Sequence, residues 1–440
     1  MNILSRLRQI AIVGSVESLG VVLGGIAGLL IVNVLPKDQY AAYTFLLACM
    51  TLVLGVTDLG LSHCCLPVVG QRSREVPWVV GACHQVFRKR WLLLGLGLVI
   101  VGPYWFYTSR EHGWFGGGYF LGSVLMLFVV LLALREHYGN TVLVILGHIS
   151  TLNRIGFTTN IVRISFVAVV LLLPITSWSM AGIVAATAAA SFVAVTLYRR
   201  AFRSHEIADF RLDAADVKRV DAQVIQIAKP LVLPAIFFQV QGVITVFLVS
   251  LLGTSNMLAE VGAFGRLAMV LLVVDRITGT LLFPVLARSP EGPALASTVV
   301  RVHGLYLLAM ALMELSAVML PQYWIILLGR QYQSMAPYVW IVFLAAMLNN
   351  ASNLAFRTLT VRGATSKQGY GVGFILAVQV LYLWVFGVAD LRAALGFNLA
   401  TAMAHASYQY LLLALRLPEW RRQVPADGST DQVSGADGDR

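Results

Sequence analysis

Charge is what this chain has least of. Asp, Glu, Lys and Arg make up 12% of its 440 residues, about half of the ~25% usual in a soluble domain, while 58% are hydrophobic and the mean hydropathy is +0.78. A chain this long cannot hide that apolar excess in one aqueous core, so it calls for a bilayer. Cysteine is scarce too. Cys49, Cys64, Cys65 and Cys83 show neither metal-ligand nor redox spacing and read as small apolar helix residues. No Walker-type or Gly-rich phosphate loop is present, which argues against ATP as the driver. Neither a metal constellation nor a nucleophile elbow is found, so no cofactor is expected and no enzymatic centre is indicated.

The long apolar runs are what is there. Runs of about 20 apolar residues predict spans at 10–35, 41–66, 88–107, 118–149, 156–174 and 178–198, then 229–253, 258–288, 296–321, 335–361, 369–389 and 392–416. The first run exceeds a signal-peptide core of roughly 7–15 residues and is taken as a retained span. The expectation is an all-α polytopic membrane protein. Its parts are a six-helix lobe over 1–198, a cytoplasmic linker over 199–228, a second six-helix lobe over 229–416 and a disordered tail over 417–440.

The net charge of +11 sits between the apolar runs rather than in a nucleic-acid-binding patch. With the N-terminus inside, cytoplasmic segments carry about 24 Lys and Arg, and outer loops about 4 (Lys37, Arg110, Arg330, Arg392), as the positive-inside rule requires. Both termini are then cytoplasmic.

The halves resemble each other. Asp58 precedes Pro67 by nine residues, and Asp275 precedes Pro284 by nine. Arg154-x-Gly156-Phe157 opens the fifth span and Lys367-x-Gly369-Tyr370 the eleventh; Gly24 and Gly242 fall at nearly equal offsets. Six spans per half keep the orientation of both, which implies parallel repeats around a central cavity, a transporter plan.

Further residues carry a resemblance to a known family. They are Lys37-Asp38-Gln39-Tyr40-Ala41-Ala42-Tyr43, Thr57-Asp58-Leu59-Gly60-Leu61, Ala259-Glu260-Val261-Gly262-Ala263-Phe264 and Leu282-Phe283-Pro284. In these the chain resembles the polysaccharide transporter family, the Wzx-type flippases of the multidrug/oligosaccharidyl-lipid/polysaccharide exporter superfamily. It departs at Ala41 and Ala42, where the family tends to have Gly. The resemblance implies a V-shaped, MATE-like pair of lobes alternating between inward- and outward-open states. It implies as substrate an undecaprenyl-diphosphate-linked oligosaccharide, moved across a bacterial inner membrane for O-antigen or exopolysaccharide assembly. Polysaccharide polymerase and chain-length machinery are the partners it suggests, besides membrane lipids.

Ionisable residues inside spans are costly and are functional candidates by default. Arg binds phosphate oxygens through a planar fork and keeps its charge when buried. Arg135, Arg163, Arg266 and Arg357, with Asn349, Asn353 and Gln241, form the candidate lumen set. Arg357 could instead snorkel to the interface, the Asn cluster could bond between helices, and Arg135-Glu136-His137 could mark an interface rather than the middle of a span. Glu17, Asp58 and Asp275 are the candidates for proton or ion coupling, with helix pairing as their alternative. A drug or cation antiporter of the same superfamily is the nearest rival, though it should favour acidic and aromatic lumen residues. A fourteen-span peptidoglycan-precursor flippase fits the span count less well, and a glycan polymerase or glycosyltransferase would usually carry a large outer loop that is lacking here.

Overall fold

A computed structural model describes residues 23–229, 232–288, 292–361 and 367–422, without the side chains of His63, Gln71, Pro234, 272–288 and Val361. The helices are α1 (Leu23–Val34), α2 (Lys37–Asp58), α3 (Cys65–Val69), α4 (Val76–Glu111), α5 (Gly117–Ile145), α6 (Ile149–Leu172), α7 (Ser179–Ser204) and α8 (Ala214–Ala228). There follow α9 (Val232–Gln241), α10 (Ile244–Leu252), α11 (Ser255–Arg288), α12 (Pro293–Met319), α13 (Pro321–Ile326), α14 (Val339–Val361), α15 (Gln368–Phe386) and α16 (Leu391–Arg422).

Among the described residues, eight helices are long and apolar enough to cross a membrane, nine if the bent pair α9–α10 counts as one span. These, with α1, α11 and α16, coincide with the twelve apolar segments expected from sequence. In lipid every backbone polar group must be satisfied within the chain, which leaves helices as the spanning element here.

The helices pack as two lobes. The first is held together by α2, α4, α5, α6 and α7, the second by α11, α12, α14, α15 and α16; α2 carries the main contacts between them, against α9, α10 and α11. Glycines allow close approach inside each lobe: Gly139 of α5 lies under the Tyr198 ring, and Gly371 of α15 under Tyr408.

Three elements depart from the simple span picture. The second span stops eight residues early, at Asp58, because Leu59 and Gly60 turn left-handed (φ 40° and 84°). Gly takes that conformation at no steric cost. In the second half Ile277 follows Asp275 at the matching offset, and α11 runs on unbroken past Pro284. The sequence repeat therefore does not repeat the break. Second, α9 and α10 are bent by 53° around Gly242–Val243. Third, the expected linker is largely structured: α7 continues to Ser204, and the Asp213 carboxylate caps α8 by accepting from the Asp216 N–H at 2.7 Å. α8 buries Val220, Val224 and Ala228 against α4 and the Leu61–Cys64 turn, and Lys89 pairs with Asp221 at 2.9 Å.

Candidate functional site

A chamber lies between the lobes, in two adjoining compartments of about 600 and 530 Å³. The larger is walled by α2, α4 and α5 through Thr51, Arg90, His137 and Asn140. The smaller is walled by α9, α14 and α16 through Phe238, Asn353, His405 and Gln409. Asp58 and Gln239 border both. Gln239 of α9 donates through Nε2 to the Thr51 carbonyl at 2.8 Å, and its stem lies against Gly55, where any Cβ would meet it. This one side chain divides the space.

A charged cluster faces the larger compartment. Arg90 is 2% exposed and points Nη1 at Asp58 Oδ1 across 3.3 Å; its Nη2 lies 3.3 Å from His137 Nδ1. The turn after Gly60 brings Ser62 back over the same carboxylate, which accepts from the Ser62 N–H at 3.1 Å and from its hydroxyl at 2.8 Å. The break in α2 is thus what completes the shell of Asp58. A buried guanidinium needs this pairing, since desolvating an unpaired charge costs several kcal/mol.

At the opposite end the lobes are clasped. Lys37 pairs with Glu260 at 3.1 Å and lies over the Tyr332 ring, 5.3 Å from its centroid. Gln331 donates to the carbonyls of Val32 and Leu35 at 2.8 and 3.0 Å, and Asn33 donates to the Leu327 carbonyl at 2.5 Å. His112 contacts the Ser250 carbonyl at 3.0 Å. The chamber is therefore shut towards Lys37 and lies at the end that carries α3 and α8.

Of the candidates from sequence, Asp58 and Asn353 border the chamber. Arg357 stands one turn beyond Asn353 on the same stripe of α14, and Asn349 one turn before it. Gln241 and Asn349 come together in a separate cavity inside the second lobe. Asn350 turns away, donating to the Leu271 carbonyl at 3.5 Å. Three arginines are elsewhere. Arg135 is exposed and lies roughly 200° around α5 from His137. Arg163 lies near Glu136, inside the first lobe. Arg266 packs on Gly28 and beside Tyr40, in the seam between the lobes. Glu17 is outside the described residues, and Asp275 falls where side chains are not described.

Sequence reasoning missed Arg90 as a chamber residue, and His137 entered it only as part of Arg135-Glu136-His137. Arg90 opens the expected span at 88–107 beside Arg88 and Lys89, where it reads as a basic flank. Its 32-residue separation from Asp58 offers no local signal that the two meet.

No protein-family profile matches the chain, and no curated relative matches it. Solved structures do. An inward-facing multidrug resistance MATE family transporter of the MOP superfamily superposes with a TM-score of 0.71 at 14% identity, over 92% of this chain and 96% of that one. An outward-facing one gives 0.61 at 14%, over 95% and 96%. A MOP superfamily transporter from Pyrococcus furiosus, described as having a binding pocket of reverse polarity, gives 0.62 at 13%, over 95% and 96%. The chain thus has the MATE fold, a two-lobed, multi-pass membrane architecture.

Proposed function

We propose that this chain is a flippase that carries an undecaprenyl-diphosphate-linked oligosaccharide from the inner to the outer leaflet by alternating access. The observation that carries the reading is the inter-lobe chamber, clasped at one end, with a buried arginine on its wall and uncharged amides beside it. The chamber end is also the basic end, with Arg72, Arg74, Arg203, Lys218 and Arg219 exposed around it. By the positive-inside rule that end is cytoplasmic, in a bacterial inner membrane, with both chain termini on the same side. The substrate then loads from the cytoplasmic leaflet, and the clasp at Lys37–Glu260 must open to release it.

Arg90 suits a diphosphate because it places a charge that persists on burial at the wall of the larger compartment, while Asp58 holds it in place. In this role Asp58 positions the arginine, and any coupling to protons or ions runs through another group. The rival reading, a drug or cation antiporter, would use Asp58 as a free anion. Its pairing with Arg90 and Ser62 weighs against that use. Polymerase and chain-length partners remain part of the proposal through the family resemblance.

The test is loss of function in the native host. Removal of the protein should leave lipid-linked repeat units on the cytoplasmic leaflet, and Arg90→Ala or Arg357→Ala should do the same with the protein still in the membrane. Repeat units that reach the periplasm but stay unpolymerised would overturn the assignment. So would normal surface glycan together with lost efflux of a lipophilic cation such as ethidium.

A further inference from the structure

The second lobe holds a cavity of about 210 Å³ at the bend between α9 and α10. That is several times the ~30 Å³ share of one water molecule in the liquid. Small residues make the room: Gly242, Gly265, Ala268, Ala345 and Ala346. Four neutral polar side chains, Gln241, Thr245, Asn349 and Asn398, reach into it from α9, α10, α14 and α16. The first lobe has a cavity of similar size, about 230 Å³, lined by Leu, Val, Met and aromatic side chains. Polarity is thus not a property of every gap between these helices.

The hydrogen bonding leaves capacity over. Thr245 donates to Asn398 Oδ1 at 3.1 Å, and Gln241 Oε1 accepts from Gln379 at 2.9 Å. Asn349 has no hydrogen-bond partner among the described residues, and neither do the Asn398 Nδ2 and Gln241 Nε2 groups. These amide groups, half-buried at Gln241 and Asn349 and exposed at Asn398, are open to a ligand, and within a membrane a discontinuous helix is tolerated where it lines a cavity. The cavity offers donors and acceptors together and no ionised group. It suits neither a phosphate, which needs cations, nor a metal or drug cation, which needs carboxylates. A neutral, hydroxyl-rich ring satisfies it.

One face of α14 also borders both the cavity and the chamber. Asn349, Asn353 and Arg357 recur every four residues on α14, one stripe running from the cavity, past the chamber wall, to the basic end of the bundle.

We propose that this cavity is a sugar subsite, in which Asn349, Asn398 and Gln241 bind the hydroxyls of one neutral monosaccharide unit of the cargo. The source of that sugar rests on the flippase reading; the chemistry of the cavity does not. Binding of free hexoses and N-acetylhexosamines is measured by equilibrium dialysis with the full-length protein in lipid nanodiscs free of glycoside detergents. Undecaprenyl diphosphate without sugar is the second probe.

At least one sugar should bind saturably in the millimolar range, and Asn349→Leu should weaken it tenfold or more. Gly265→Leu should do likewise by filling the cavity; a Cβ there meets no atom within 4 Å, so the side chain has room to enter. Both variants should hold undecaprenyl diphosphate as the native protein does. Absence of saturable sugar binding, as from a cavity that holds only water, overturns the subsite, and so does sugar binding that survives Gly265→Leu. If the sugar binds as described but undecaprenyl diphosphate does not, the subsite stands and the flippase reading fails.

Discussion

Removing either member of the Asp58–Arg90 pair should have unequal effects, and the inequality can be worked from the structure. The Arg90 side chain is 3% exposed and that of Asp58 is 26% exposed. Asp58→Asn leaves the guanidinium without a counter-charge in a site that water barely reaches, with His137 and the new amide oxygen as its polar contacts. Breaking a buried pair in this way costs about 3–5 kcal/mol. Arg90→Met leaves a carboxylate that keeps both Ser62 hydrogen bonds and touches the chamber, so the loss should fall to about 1–3 kcal/mol. The double variant buries no uncompensated guanidinium and should recover much of the first loss, giving a coupling of about 2 kcal/mol. Unfolding equilibria by SDS titration of the four proteins measure the cycle. If Arg90→Met is as damaging as Asp58→Asn, or if the two losses add to within about 0.5 kcal/mol, Asp58 is not the counter-charge that holds Arg90.

Three further outcomes are expected. Gly55→Ala should push Gln239 off the Thr51 carbonyl and join the two compartments; the hydrogen bond lost, about 1 kcal/mol, is offset by the better helix propensity of Ala, so stability should hold while a cysteine placed at Asn140 gains reactivity towards bulky maleimides. Unchanged labelling would show that Gln239 is no partition. Lys37→Ala should loosen the clasp and increase labelling, from the outer face, of a cysteine introduced at Asn33; no increase would mean that the backbone contacts of Gln331 suffice alone. For pH, burial would raise the Asp221 carboxyl, but hydrogen bonds from Lys89 and Gln85 and the nearby basic charges outweigh it and hold it below the ordinary Asp value. A lowered carboxylate stabilises above its unfolded pKa of about 3.9 and ceases to as pH falls through the folded value. Hydrogen exchange of α8 should thus be level, after correction for intrinsic rates, from about pH 5 to 8 and faster below about 4; acceleration near neutrality would contradict the pairing.

The candidate site was legible in part. Asp58 and Asn353 could be picked because polar residues in apolar runs stand out, and the α14 stripe because its spacing is helical. Arg135, Arg163 and Arg266 stood out equally, yet each occupies another setting: an exposed face, the neighbourhood of Glu136, and the seam at Gly28. Helical periodicity says that a residue avoids lipid or shares a face with another. It does not say which neighbouring helix that face meets.

By itself the sequence determined that this is a membrane chain, where its twelve apolar segments lie, and which end of the bundle is basic. These follow from local composition, because a bilayer sorts segments one at a time by hydropathy and flanking charge. Tertiary structure alone decided that Arg90 meets Asp58 and His137, that Gln239 splits the chamber at Gly55, and that the lobes are clasped at Lys37 rather than at Asp58. Each of those contacts joins helices tens to hundreds of residues apart, and only packing in three dimensions brings them together. The bend at Gly242–Val243 belongs with them: the glycine permits it, and the polar cavity around it is assembled by three other helices.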